Sequence, residues 1–151
     1  MPKHRFHIRQ VGVTFLALLG TISLIAYGTT ATRGEEADRL DVQIAHEYIE
    51  QEQLEMAAPF LHRIVAKETS VAEAYFLLAY IEIVEGNPAE AEGLLQTAIA
   101  QKPDFDQAHF NLALVFLELG KEKEALESLE RAIELAPAEE SYRELYEQLK
   151  G

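Results

Sequence analysis

The chain has no cysteine. That excludes disulfides, thiolate metal sites, thiol nucleophiles and lipid attachment through sulfur, and it leaves the redox compartment open. Acid is also missing from the start of the chain, with none before Glu35, and Gln10 to Thr32 contains no charged residue of either sign. Glycine is sparse, at 8 of 151 residues, and forms no phosphate-cradling loop. The five histidines (His4, His7, His46, His62 and His109) are scattered, with no pair at the i, i+4 spacing that a helical metal site needs. No Ser-His-Asp or Cys-His arrangement can be assembled. Carboxylates are plentiful, but Glu122, Glu124, Glu127 and Glu130 alternate with Lys121, Lys123 and Arg131, which is the pattern of a solvated helix face. These absences lead to a chain without catalysis, cofactor or metal.

The charge that is present is segregated. Lys3, Arg5 and Arg9 lie in the first ten residues. Residues 33–151 hold all 26 Asp and Glu against ten Lys and Arg, a net charge of −16. Such a surface repels phosphate, so nucleic acid is excluded as a partner. An anionic lipid surface has no attraction for it either.

Between the basic start and the acidic remainder runs VGVTFLALLGTISLIAY, Val11 to Tyr27. A helix rising ~1.5 Å per residue needs roughly 17–25 apolar residues to cross a bilayer, and this run is long enough. Basic residues mark the side that stays in the cytoplasm. The expectation is a basic cytoplasmic tail over 1–10, a transmembrane anchor over 11–30, a linker over 31–37 and a domain delivered to the far side. A cleaved signal peptide is the competing reading, with small residues at Ala26-x-Gly28 or Thr29-x-Ala31. Gly12, Gly20 and Gly28 recur at eight-residue steps and would give the span one face for close helix packing.

Beyond residue 38 an offset of 34 dominates. It relates Gly86 to Gly120, Pro103 to Pro137, Ala79 to Ala113, Ala91 to Ala125, Leu95 to Leu129 and Ala98 to Ala132. Two such units are complete, at 72–105 and 106–139. A third, at 38–71, is degenerate: Ile44-Ala45, Tyr48, Ala57, Leu61 and Ile64 fall in register, but Glu52 replaces the glycine, Thr69 replaces the closing proline, and Pro59 interrupts the second helix. That helix is expected to bend or shorten. Ser70-Val71-Ala72-Glu73 and Asp104-Phe105-Asp106-Gln107 read as capping boxes. Gly86-Asn87-Pro88 reads as a stop, a cap and a first helical proline. Residues 140–151 add one more helix, with Tyr142, Leu145, Tyr146 and Leu149 on one face.

With its small residues at helix contacts, large residues around them and a period of 34, the region 38–139 resembles the tetratricopeptide repeat (TPR) family. One departure is Glu82, which stands where the second repeat should have an aromatic. The resemblance implies an all-α superhelix of three repeats closed by a capping helix, with a concave groove made by the first helix of each repeat. The groove columns would be Val42, His46 and Ile49; Phe76, Tyr80 and Ile83; and Phe110, Asn111, Leu114 and Leu117. All but His46 and Asn111 are apolar or aromatic. Members that clasp a chaperone's C-terminal carboxylate resemble one another in Lys, Arg and Asn at positions that here are Val42, His46, Leu77, Gln107 and Asn111. Only Asn111 suits that role, so this clamp is not expected.

The implied function is a non-enzymatic protein-interaction module: an anchored adaptor or assembly factor on the periplasmic face of a bacterial-type inner membrane. Its partner would be an apolar or amphipathic peptide or helix. The alternatives are a structural accessory subunit of a membrane complex and, after signal cleavage, a secreted binding protein. Self-association is compatible with each of the three.

Overall fold

The computed structural model describes residues 33–67 and 71–151, and among them there are seven helices and no strand. The helices are α1 (Arg33–Glu50), α2 (Leu54–Val65), α3 (Ala72–Glu85), α4 (Pro88–Gln101), α5 (Asp106–Glu118), α6 (Glu122–Leu135) and α7 (Glu140–Lys150). The expected anchor over 11–30, and with it Gly12, Gly20 and Gly28, lies outside the described residues. No helix among the described residues is long and apolar enough to cross a membrane. Residues 33–37, expected as linker, form the first turns of α1.

Small side chains decide where the helices touch. Ala45, Ala79 and Ala113 are fully buried, as are Ala57, Ala91 and Ala125. Only a methyl group allows two antiparallel backbones to approach that closely. Leu61, Leu95 and Leu129 fill the space beside each contact and are also fully buried. The core forms two clusters, one around Val42, Leu61 and Leu78 and the other around Leu95, Val115 and Leu129, and Phe76 and Leu94 pack against both.

The turns inside the three hairpins share one geometry. Asn87 N–H donates to Glu82 O (2.8 Å) and Gly86 N–H to Ile83 O (3.1 Å). Lys121 and Gly120 repeat these bonds to Phe116 O (2.8 Å) and Leu117 O (3.0 Å), and Gln53 and Glu52 to Tyr48 O (2.8 Å) and Ile49 O (2.9 Å). This is the Schellman closure, which places its central residue in the left-handed region. Gly86 (φ 80°) and Gly120 (φ 72°) adopt it freely, whereas Glu52 does so at φ 58°. The degenerate repeat therefore keeps the turn without the residue that favours it.

Pro59 is carried within α2, which runs 12 residues where α4 and α6 each run 14. The shortening falls at its C-terminal end, away from the proline. The expected capping box at Asp104 does not form, and that at Ser70 lies partly outside the described residues. The N-cap residues are Val71 and Phe105, and neither side chain caps its helix. Their carbonyls instead accept the first turn's amides, from Ala74 (2.9 Å) and from Ala108 (3.0 Å). Phe105 is held at its cap by packing, because its ring lies 4.8 Å from that of Phe76. Asn87 sits at the N-cap of α4, with Pro88 in the first turn, but its side chain donates to Glu82 (2.9 Å). That bond gives the out-of-pattern Glu82 a polar partner.

Two buried carboxylates had no sequence signal. Asp41 accepts a two-pronged hydrogen bond from Arg63 (2.9 and 2.5 Å), and Asp38 pairs with Lys67. Both bonds tie α1 to α2 and its C-terminal end. Burying Asp38 and Asp41 is tolerable only because each meets an opposite charge.

Candidate functional site

The first helices of the hairpins, α1, α3 and α5, bring the predicted groove columns onto one inner face, but they do not leave all of them open. Val42 is 7% exposed and belongs to the core. Ile49, Ile83 and Leu117 are half-buried against it. Phe76 packs on Phe105. Phe110 is covered by α7, whose Tyr142 ring stacks on it at 4.5 Å. Asn111 is half-buried. The side chains that remain exposed are His46, Tyr80 (40%) and Leu114 (39%). One turn beyond Tyr80, Val84 is 54% exposed and extends the apolar strip. It falls outside the columns named from the sequence, Phe76, Tyr80 and Ile83.

Two adjoining hollows indent the inner face. One, of about 500 Å³, is lined by Arg39, Val42, Gln43, His46, Val71 and Glu73. The other, of about 410 Å³, lies where α1, α3 and α5 meet and includes His46, Phe76, Leu77, Lys102, Phe105 and Gln107. His46, Val71 and Glu73 line both. Lys102 stands with its ammonium 4.7 Å from the Phe105 ring centroid, a cation–π contact. Nδ1 of His46 is 3.3 Å from the Glu50 carboxylate. A third hollow, of about 450 Å³, lies on a different face between α4, α5 and α6, over Ile99, Leu112 and Phe116.

Val42 and Leu77 are buried apolar side chains and offer no donor to a carboxylate. His109 is half-buried and hydrogen-bonds through Nε2 with Pro103 O (3.1 Å). Among the described residues no cluster of three or more His, Asp or Glu is arranged to hold a metal ion.

The C-terminal end of the face is closed by α7. Tyr142 is buried, and its hydroxyl donates to Asp106 (2.9 Å). Burial first, and then the bond to the Asp106 carboxylate, push the phenol's pKa well above its usual value. Tyr146 adds a second hydroxyl bond, to Glu130 (2.6 Å).

Comparison with known proteins adds the family. The chicken (Gallus gallus) DnaJ homolog subfamily C member 3 is 30% identical over 122 residues, which are 81% of this chain but only 24% of that protein's length. Among solved structures, MamA superposes with a TM-score of 0.69 at 23% identity, covering 74% of this chain and 66% of MamA. The first TPR of Spaghetti (RPAP3), bound to an HSP90 peptide, gives 0.71 at 16% identity, covering 76% and 91%. At these identities the two structures establish the fold, a TPR-like superhelix. The tetratricopeptide repeat model itself matches residues 42–104 and 83–140. With the recurring alanine contacts and glycine turns in place, the chain belongs to the tetratricopeptide repeat family.

Proposed function

We propose that this protein is a non-enzymatic interaction module that takes an apolar or amphipathic protein segment across the inner face of α1, α3 and α5. The observation that carries the reading is the exposed strip of Tyr80, Val84 and Leu114 beside the two adjoining hollows. Apolar side chains left open together on a soluble surface mark a binding face. A related fold, the first TPR of RPAP3, holds a peptide, which supports a peptide-binding role here.

The apolar run Val11 to Tyr27, preceded by Lys3, Arg5 and Arg9, supports a tethered form. In this reading the chain is a single-pass protein of a bacterial-type inner membrane. Its N-terminus is cytoplasmic, and its repeats act in the periplasm as an adaptor or assembly factor.

The test is affinity purification of the full-length protein from its native membrane, with the co-purifying proteins identified. Tyr80→Glu combined with Leu114→Glu is the appropriate variant, because both side chains are exposed; Phe76 and Phe110 are packed, and changing them would also disturb the fold. The partner is expected to be lost while helicity by circular dichroism is kept. Retention of the partner would move the site to another face, the hollow over Leu112 and Phe116 being the next candidate. A partner that stays stoichiometric through detergent would favour a fixed subunit of a membrane complex over an adaptor.

A further inference from the structure

We infer that the segment bound on this face carries an internal carboxylate side chain, seated over the two hollows that Arg39 and Lys102 line. The inference rests on the groove reading above and adds the chemistry of the partner.

Arg63, Lys67, Lys121, Lys123 and Arg131 each pair with a carboxylate of the same domain. Arg143 donates to the Pro137 carbonyl, and Lys150 has the Tyr146 hydroxyl as a hydrogen-bond partner. From residue 39 onward, Arg39 and Lys102 are the cations left without a polar partner among the described residues. Both are exposed, and both line the inner face, Arg39 in one hollow and Lys102 in the next.

The lining between them is poor in acid. Glu73 is the carboxylate that the two hollows share, and it forms no ion pair with either cation. His46 lies at the junction of the hollows, and its Nδ1 is turned toward Glu50. The rest of the lining is apolar or neutral: Val42, Gln43, Val71, Ala72, Phe76, Leu77, Phe105 and Gln107. An apolar segment crossing this surface therefore meets two unpaired cations, either of which a carboxylate side chain would satisfy.

The net charge of the domain argues against a polyacidic partner, since the summed field repels it. One acid flanked by apolar residues suits both the local and the overall charge. An internal side chain is favoured over a chain terminus by two features. The hollows adjoin, so a segment seated in one continues into the other. The columns that would clasp a terminal carboxylate are filled by buried Val42 and Leu77.

The experiment uses the full chain in nanodiscs of zwitterionic lipid. The probes are fluorescent peptides of alternating apolar and Ser/Gln residues, acetylated and amidated, with one central Glu, Gln or Lys. A fourth peptide has central Gln and a free C-terminal carboxylate. At low salt the Glu peptide should bind about two- to fivefold tighter than the Gln peptide, as expected for one carboxylate beside an exposed cation. Arg39→Gln with Lys102→Gln should bring that ratio to about one, and so should added salt. Lys123→Gln, on the solvated face of α6, should leave it unchanged.

Equal binding of the Glu and Gln peptides, with both abolished by the Tyr80→Glu/Leu114→Glu variant, would overturn this inference and leave the groove reading standing. So would a preference for Lys, or a ratio that survives the double Gln variant. If the free terminal carboxylate bound as well as central Glu, the internal assignment would fall. Failure of every peptide to bind, or binding indifferent to Tyr80 and Leu114, would remove the groove reading and this inference together.

Discussion

Glu52 occupies a backbone conformation that its repeat partners give to glycine, and replacing it with glycine should stabilise the protein. At φ 58° it shares the left-handed turn of Gly86 and Gly120, with the same pair of closing hydrogen bonds. A residue with a Cβ loses about 1–2 kcal/mol in this conformation. Glycine relieves that strain but loses ~0.5–1 kcal/mol more backbone entropy on folding. Glu52 is exposed and makes no ion pair among the described residues, so little else is removed. The net gain for Glu52→Gly is then about 0.5–1 kcal/mol, which for a domain of this size raises Tm by about 2–4 °C. The reverse changes, Gly86→Ala and Gly120→Ala, should each cost a similar amount. A Cβ built at either glycine meets nothing within 4 Å, so their cost is conformational and not steric. Thermal and urea unfolding followed by circular dichroism on the four proteins reads all three differences. If Glu52→Gly lowered Tm, or both alanine variants matched the wild type, the shared turn geometry would not govern these hairpins.

Other outcomes follow from the packing. Ala79→Leu or Ala113→Leu should destabilise the stack by roughly 1–3 kcal/mol or more, because both positions are fully buried helix contacts; wild-type unfolding midpoints in both would refute that packing. Tyr142 carries a phenol pKa raised above its unfolded value of 10.0, so its contribution is complete below pH 10 and declines as pH rises beyond it. Urea midpoints measured from pH 8 to pH 11 should fall at the alkaline end, and Tyr142→Phe should flatten that fall. An identical slope in the variant would show that the alkaline loss has another source.

Some of this molecule was legible because the signals are local. A glycine in the left-handed region ends a helix using only the residues beside it, so Gly86 and Gly120 mark their turns in any surroundings. The alanine columns recur because every hairpin solves one packing problem with one spacing. The capping box at Asp104 misled for the opposite reason: Phe105 takes the cap because Phe76, a whole hairpin away in sequence, holds its ring.

The groove was legible as a set of columns but not as a surface. Helical periodicity places Phe110 and Leu114 on one face, yet only the docking of α7 covers the first and leaves the second open. The pairing of Asp38 with Lys67 and Asp41 with Arg63 joins residues that no repeat rule connects. The isolation of Arg39 and Lys102 emerges only once the other cations from residue 39 onward have found their partners. Sequence by itself therefore determined the repeat, the helix ends at the glycine turns and the alanine contacts, since each depends on neighbours within one hairpin. Tertiary structure alone decided which side chains stay exposed and which charges stay unpaired, because burial and ion pairing depend on atoms brought near from distant parts of the chain.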